Sequence, residues 1–317
     1  MPKKELYTDT LLIQQALFEI QSALAAIQNN NALFREQNFE ARVEALDGLE
    51  FEVIYRIEDL LLKKAYPDQL HSLKLQAEKL KSNLETINTN LFQKLRAAIR
   101  TSRCRGDAFK NLVTEYVDFQ SVDPGHQVMP GYDNLDILIN GLFHFEEMPG
   151  QTLDLEPEMV YFQKTPARII FELAEKVQLN KADVFYDLGS GLGQVVMLVN
   201  LLTGTIAKGV EFEPMFCDYA KHCAQELNLF DARFINDDAR QADYSNGTVF
   251  FMFTPFTGTI MQDVLERLKQ ESLTREIKVI TYGPCTPTVA QQTWLNCPEP
   301  MHNNIYKLAV FSSAAIV

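Results

Sequence analysis

Apolar side chains in the first hundred residues recur at the three- and four-residue steps of amphipathic helices. Three such runs follow one another. Pro2, Gly48 and Pro67 are the helix breakers of this region, and Asn29-Asn30-Asn31 ends the first run. Such stripes usually form the core of a helical bundle, so we predict an all-α domain of antiparallel helices over residues 1–105. The third run keeps a near-heptad stripe, formed by Leu70, Leu73, Ala77, Leu80, Leu84, Ile87, Leu91 and Ala98.

The pattern changes to alternating strands and helices in the second half of the chain. Strands that alternate with helices indicate a parallel, doubly wound sheet, and we assign this α/β domain to residues 161–317. Five runs rich in β-branched and aromatic residues, separated by stretches of helical periodicity, lie at 184–188, 205–211, 232–235, 248–253 and 277–282.

Residues 106–160 read as a connector with short elements. Turn signals occur there at short intervals, at 123–126, 129–131, 148–150 and 156–157. Connectors of this sort often line active sites. His126 and His144 have no cysteine or acidic partner at ligand spacing, so we predict no metal site.

A glycine-rich turn follows the first of the five strands. It reads Asp187-Leu188-Gly189-Ser190-Gly191-Leu192-Gly193-Gln194. Glycines at alternate positions allow a tight turn and a close approach of the backbone to a ligand. A dinucleotide fingerprint needs G-x-G-x-x-G, but Gln194 stands at its third glycine and the last glycine comes one residue early.

The turn resembles motif I of the class I S-adenosylmethionine (SAM) methyltransferases. Residues 187–196 are very similar to motif I of the disruptor-of-telomeric-silencing type, the non-SET histone lysine methyltransferases. The similarity covers about residues 160–315 and is specific only at motif I. It implies SAM as the cofactor and a Rossmann-like sheet, mostly parallel, that an antiparallel pair at 293–295 and 305–311 closes.

The resemblance also implies a set of cofactor-binding residues. In the family the turn wraps the amino-acid end of SAM, and the acid of the motif reaches the ammonium of the ligand. Thr165 is expected as the N-cap of a helix that starts at Pro166, and either caps only or also touches the SAM carboxylate. The residues expected around the amino-acid end are Thr165, Asp187, Gly189, Ser190, Gly191, Gly193 and Gln194.

Acids at the next two strand ends suit the nucleoside. Glu211 ends the second strand, where a carboxylate can accept hydrogen bonds from both ribose hydroxyls; we prefer it to Glu213. After the third strand an Asp side chain can accept from the adenine amino group, and a neighbouring backbone amide can reach a ring nitrogen. We choose Asp238 over Asp237 for the first contact and Ala239 for the second.

The fourth strand ends at the position where methyltransferases meet the acceptor. The acceptor motif of the family carries paired asparagines, but here Phe253-Thr254 stand in their place. We predict an aromatic slot in which Phe256 is a wall and Thr254 hydrogen-bonds the acceptor. The predicted activity is methyl transfer to nitrogen or oxygen on a protein or a small metabolite. Two alternatives remain, a small-molecule methyltransferase with a helical lid and a SAM-binding scaffold protein without catalysis.

Charge and cysteines restrict the partners and the compartment. The net charge of −13 argues against a nucleic-acid acceptor, which would need clustered cations. Arg96, Arg100, Arg103 and Arg105 read either as a cationic helix end or as a small anionic contact. No apolar run approaches the roughly 20 residues of a membrane span, and the N-terminus lacks a signal-peptide core. Five cysteines without a C-x-x-C pair indicate a cytoplasmic protein, and the N-terminal helices suit a homodimer.

Overall fold

The described residues of the computed structural model form two compact units. They comprise 2–63, 66–118, 132–298 and 304–314 of the 317 residues. The first unit runs from the N-terminus to Lys94 and includes Glu115–Val117, and the second takes Leu95–Thr114 and the chain from Asp118 onward. Among the helices of these residues, none combines the length and apolar character that crossing a bilayer requires.

The first unit is helical, as the apolar periodicity predicts. The second predicted run is not one helix, because a π-helical segment interrupts it at Gly48–Ile54. In the third run, Leu70, Ala77, Leu80, Leu84 and Leu91 are buried as expected. The segments are α1 Pro2–Gln28, a 3₁₀ turn Asn31–Phe34, α2 Phe39–Asp47, the π-helical segment, α3 Tyr55–Leu62 and, up to Lys94, α4 Pro67–Arg100.

A buried arginine fixes the start of α2 in this unit. The Arg42 side chain is fully buried, and its Nε donates to Asn88 Oδ1 of α4 at 2.6 Å. Its guanidinium also donates to the carbonyl oxygens of Leu33, Arg35 and Glu36 at 2.8–3.1 Å. Three main-chain carbonyls that end a helical turn therefore receive their donors from one side chain.

The second unit is built around a seven-stranded sheet with strand order β3-β2-β1-β4-β5-β7-β6. β1 to β5 are parallel, and β7 runs antiparallel to both of its neighbours. This confirms the doubly wound sheet with an antiparallel closing pair. The strands are β1 Val184–Leu188, β2 Ile206–Glu211, β3 Ala232–Asn236, β4 Val249–Met252, β5 Lys278–Thr281, β6 Leu295–Asn296 and β7 Ala309–Ser313.

The helices of this unit alternate with the strands. Because the strand order reverses between β1 and β4, a crevice opens at the carboxyl ends of these strands, where motif I lies. The turn signals at 123–126 and 129–131, with His126, lie outside the described residues. The helices are α5 Asp107–Thr114, α6 Asn134–Phe143, α7 Ala167–Val177, α8 Gln194–Thr203, α9 Pro214–Glu226, α10 Gly258–Ser272 and α11 Thr286–Ala290.

Three of the four clustered arginines are bound to main-chain carbonyls. Arg96 donates to Gly141, Leu142 and His144 O at the C-terminus of α6, and Arg100 donates to Glu226 O at the end of α9. Arg105 donates to Ile99 and Cys104 O. These contacts fit the interpretation as cations at helix ends rather than as a substrate contact.

Candidate cofactor and acceptor site

The motif I turn brings the backbone into contact with its neighbours on three sides. Gly189, Gly191 and Gly193 have φ of 78°, 52° and 81°, the left-handed region that favours glycine. A Cβ at Gly191 would lie 2.2 Å from the Phe162 ring, and one at Gly189 would lie 2.3 Å from Pro255 Cβ. The sequence Gly-x-Gly-x-Gly is therefore required by backbone conformation and by packing together.

Two polar groups of this turn are buried without a partner. The Asp187 side chain at the end of β1 is 3% exposed and receives no hydrogen bond from any described residue. Burial, and then the nearby Glu211 carboxylate, raise the pKa of Asp187 well above its ordinary value. Ser190 Oγ is also buried and has no hydrogen-bond partner in the described part of the chain. Ser190 Oγ packs over Gly209, where an added Cβ would meet it, so it is covered by the protein itself. Buried polar groups in native proteins usually have partners, so the Asp187 carboxyl group points to a ligand.

Glu211 lies at the end of β2, directly beside the turn. Its two carboxylate oxygens accept the amides of Gly191 at 2.6 Å and of Glu213 at 2.8 Å. Burial raises its pKa, and these two hydrogen bonds offset only part of the rise. A carboxylate has about four acceptor positions, so each oxygen still has capacity for a hydroxyl donor.

Glu213 has a structural role that differs from that of Glu211. It is the N-cap of α9, where Oε1 accepts the amide of Met215. It also accepts hydrogen bonds from Thr152 N, Thr152 Oγ1 and Leu153 N at 2.6–2.8 Å. Burial alone would raise the pKa of Glu213, but these hydrogen bonds outweigh it and lower the pKa. The residue anchors the connector to β2.

The segment 151–165, which we call the crossing segment, is attached to one strand end after another. Beyond Glu213, the Val160 amide donates to Pro255 O after β4, and Glu158 accepts the Ile260 amide at the start of α10. Gln194 Nε2 donates to Thr165 O at 3.1 Å. The connector therefore borders the site, as its turn-rich sequence predicts.

Asp238 is engaged by a cation in this structure. Arg240 donates through Nε and Nη2 to the Asp238 carboxylate and through Nη1 and Nη2 to Glu156 of the crossing segment. These hydrogen bonds lower the pKa of Asp238. Asp237 and Asp238 both line the same cavity as Glu211, and Ala239 lies beside them. If Asp238 accepts a hydrogen bond from the adenine amino group, the same carboxylate therefore also accepts from Arg240.

Thr165 is not the N-cap of α7, so that expectation is wrong. The helix begins at Ala167 with Pro166 as the cap residue, whose φ of −55° and ψ of 132° are extended. The Ala167 amide donates instead to Asp136 Oδ1 of α6 at 2.8 Å. Thr165 is nevertheless buried and lines the cavity at motif I, together with Asp187, Ser190 and Gln194.

The residues after β4 form one wall of the site. The cavity that contains Glu211 is also lined by Phe253, Thr254, Pro255 and Phe256. The ring centroids of Phe253 and Tyr282 are 5.1 Å apart. Thr254 has a φ of 43°, which is rare and strained for a β-branched residue. Its Oγ1 accepts the amide of Cys285 at 3.1 Å, which holds the strained turn in place.

Two adjoining cavities thus contain the expected residues. The first cavity lies at the motif I turn and the second at the ends of β2, β3 and β4, and Phe162, Gln163, Gly189 and Phe253 line both. The sequence analysis missed Asn140, Phe162, Lys164 and Arg240. Phe162 lies three positions before the predicted site residue Thr165, but nothing local marks the contact of its ring with Gly191.

These features fit SAM on the structure alone. Asp187 offers an unpartnered carboxyl group at the turn, and Glu211 offers free acceptor positions at the next strand end. The turn has no space for a Cβ at Gly189, Gly191 or Gly193. The described residues contain no group of three or more His, Cys, Asp or Glu side chains arranged to hold a metal ion.

Comparisons with known proteins match a family model and a curated relative. A model of the family described as "Histone methylation protein DOT1" matches residues 157–293. A curated relative, Endonuclease MutS2 of Caldanaerobacter subterraneus subsp. tengcongensis, is 25% identical over 183 residues, which are 50% of this chain and 23% of that protein. The chain therefore spans about a quarter of the length of that relative.

Solved structures that resemble part of the chain include two methyltransferases that contain S-adenosyl-L-homocysteine (SAH). An RNA methyltransferase from Salinibacter ruber has a TM-score of 0.39 and 22% identity, over 48% of this chain and 92% of that one. The tRNA (uracil-54, C5)-methyltransferase of Pyrococcus abyssi has a TM-score of 0.37 and 17% identity, over 48% and 40%. The assignment rests on the family match, the strand order and motif I. The second unit is a class I SAM-dependent methyltransferase domain with a DOT1-like motif I, and its cofactor is SAM.

Proposed function

We propose that the protein methylates a nitrogen or oxygen atom on a protein side chain. The observation that carries this proposal is the set of groups after β4, two phenyl rings, a proline and the Thr254 hydroxyl, none of which can remove a proton from carbon. Cys285 lies behind them, but burial raises the pKa of its thiol, which is directed at Met252 O. A carbon acceptor would need a base or a thiolate here, whereas nitrogen or oxygen brings its own lone pair.

SAM supplies an electrophilic methyl group on a sulfonium. The chain contributes position, because in-line displacement depends on holding two reactants in one geometry. In this proposal Asp187 binds the ammonium, the amides of the motif I turn surround the amino-acid end, and Glu211 accepts from the ribose hydroxyls. The remaining contacts are Thr165 and Gln194 at the amino-acid end and Asp238 and Ala239 at the adenine.

Thr254 and Phe256 act on the acceptor in this proposal. The Thr254 hydroxyl oxygen accepts from the Cys285 amide and has a second lone pair, which can accept an N–H or O–H of the acceptor. This leaves the lone pair of the acceptor free to attack the methyl group. Phe256 is buried, its backbone pairs with Met159 in an isolated β-bridge, and its ring packs in the same hydrophobic cluster as Met159. The two residues orient the acceptor and keep water from it.

A protein acceptor is supported by the edge of the second cavity. Tyr161 in the crossing segment is 79% exposed, and its neighbours Val160 and Phe162 are also exposed. Exposed apolar groups beside a catalytic cavity are typical of an interaction surface. A small-molecule enzyme would enclose these groups instead.

The test is a methylation assay with labelled SAM and two acceptor sets, one of peptides with amine, amide and carboxylate side chains and one of small amines, phenols and acids. Mass spectrometry locates the methyl group. We expect methylated peptides with the methyl on nitrogen or oxygen. Transfer to carbon, or to the small molecules alone, would overturn the proposal. If SAH is not formed with any acceptor while the protein binds SAM, the scaffold alternative applies instead.

The partner and compartment remain proposals as well. We propose a cytoplasmic protein, supported by the buried free thiols of Cys104, Cys217, Cys223 and Cys285. We also propose a homodimer through the N-terminal helices, supported by exposed Phe18, Leu62 and Leu75 in the first unit. Sedimentation of the wild type and of Leu62→Lys tests the dimer. The acidity of the chain supports a protein rather than a nucleic-acid acceptor.

A further inference from the structure

The first cavity contains one side chain of each charge, and neither has an ionic partner. The acidic group is Asp187, described above. The basic group is Lys164, which precedes Thr165 in the crossing segment and lines the same cavity. The two are not an ion pair, because no acid of the described residues lies within 4.0 Å of the Lys164 ammonium.

Lys164 is held in this position by a neutral group. Its Nζ donates to Asn140 Oδ1 of α6 at 2.8 Å, and the side chain is half-buried. Burial lowers the pKa of Lys164, and the more distant Asp136 carboxylate offsets part of this. Asp136 Oδ1 accepts a hydrogen bond from the Ala167 amide at the start of α7, so this carboxylate already has a partner other than Lys164. A partly buried ammonium that lacks a counter-charge is costly, and a ligand anion would remove the cost.

We propose that Lys164 binds the α-carboxylate of SAM and that Asn140 positions its ammonium. An unpaired cation and an unpaired anion on the walls of one cavity are complementary to a zwitterion, and the amino-acid end of SAM is the zwitterion that the motif I turn receives. Lys164 is thus a specificity residue that distinguishes SAM and SAH from adenosine sulfides that lack the carboxylate. This inference does not depend on the methyl acceptor.

The test compares two ligands by calorimetric titration. One is SAH, and the other is its decarboxylated analogue, which keeps the adenosine and the amine but has no carboxylate. We expect the wild type to bind SAH about 10- to 100-fold more tightly, the range of a hydrogen bond between charged groups. Lys164→Met should lose this factor for SAH and bind the analogue as the wild type does, whereas Lys164→Arg should keep the preference.

A matched control is Lys208→Met. Lys208 is also half-buried, but its Nζ donates to Tyr186 Oη and Asn246 Oδ1 outside both cavities. The Lys208→Met variant should bind both SAH and the decarboxylated analogue with the affinities of the wild type. Equal affinity of the wild type for the two ligands would overturn the proposal, and so would an equal loss of both in Lys164→Met, which indicates a structural role. If Lys164→Met does not fold, the wild type and Lys164→Arg still decide between these results. Loss of all SAH binding in the wild type would instead contradict the cofactor assignment.

Discussion

Among single residues, Asp187 is a buried ionisable group without a hydrogen-bonding or ionic partner in the described part of the chain. It keeps a carboxyl group at the end of β1, where no described residue donates to it. Burial raises its pKa in the folded protein, whereas the unfolded chain keeps the ordinary value. Between these two pKa values the unfolded state binds fewer protons, so the ligand-free protein loses stability as the pH rises through this window.

Asp187→Asn should therefore stabilise the ligand-free protein and weaken the cofactor complex. The amide keeps the shape of the side chain but has no charge to desolvate, so the melting temperature of the ligand-free variant should exceed that of the wild type at neutral pH. Loss of the ion pair should cost about 1.5–3 kcal/mol of SAH binding. Thermal unfolding with and without SAH measures both effects. A melting temperature that falls together with the affinity would show that Asp187 stabilises the empty site.

The Thr254 hydroxyl can be removed while the size and branching of the side chain are kept, at the cost of its hydrogen bond from the Cys285 amide. Thr254→Val keeps the β-branched side chain at the strained position and removes the oxygen that the acceptor would contact. We expect kcat with the identified acceptor to fall about threefold to tenfold, the loss of one neutral hydrogen bond, while the Kd of SAH stays within about twofold. The same loss in SAH binding would assign the hydroxyl to the turn rather than to the acceptor.

At the scale of elements, the two glycines that flank α8 separate backbone strain from packing. Gly193 and Gly204 have φ of 81° and 71°. A Cβ at Gly193 would lie 2.6 Å from the Phe234 ring and 2.7 Å from Ala220, whereas nothing lies within 4 Å of one at Gly204. Both glycines adopt the left-handed backbone conformation, but only Gly204 has space for a Cβ.

Gly204→Ala should cost about 1–2 kcal/mol of unfolding free energy, the cost of a left-handed conformation. Gly193→Ala should cost about 1–3 kcal/mol more, because the methyl group overpacks the core beside motif I. Denaturant unfolding of the two variants measures the difference. Equal losses would mean that the turn can move away from Phe234, and the tightness of motif I would then have no structural basis.

The same scale shows what local sequence can predict. The strand ends with Asp187 and Glu211 follow from short apolar runs bounded by turn residues, and the structure places them next to each other at the sheet edge. The first residue of α7 cannot be predicted from local sequence. It is fixed by the hydrogen bond from the Ala167 amide to Asp136, which lies 31 positions earlier in the chain. Lys164 with Asn140 and Arg240 with Glu156 are also pairs distant in sequence, and periodicity carries no signal for such pairs.

For the whole molecule, the chain consists of a helical unit and a methyltransferase unit, each with its own core. Helical periodicity predicts the first and strand–helix alternation the second. The π-helical segment at Gly48–Ile54 is not predicted, since the apolar spacing across it is close to that of an α-helix. The acceptor is also not predicted by the fold, because a sheet of this type carries many chemistries.

The first unit depends on Arg42. Arg42→Met should lower its stability by about 2–4 kcal/mol, because the carbonyls of Leu33, Arg35 and Glu36 lose their donor inside the unit. Hydrogen exchange of amides in residues 31–60 measures this, and SAH binding in the same sample checks that the second unit is folded. Arg56→Met, which removes an exposed ion pair with Glu19, is the control and should have a much smaller effect. Similar exchange in both variants would contradict the role of Arg42.

The central claim is that the carboxylate at the end of β2 binds SAM through the ribose. It is tested most directly by calorimetric titration of SAM and of NADH into the wild type, Glu211→Ala and the control Asp218→Ala, an exposed acid on α9. We expect SAM to bind the wild type and the control alike, Glu211→Ala to lose about 1.5–3 kcal/mol of binding free energy, and NADH not to bind. If SAM binds Glu211→Ala as tightly as the wild type, or if NADH binds in its place, the assignment of the strand ends is wrong.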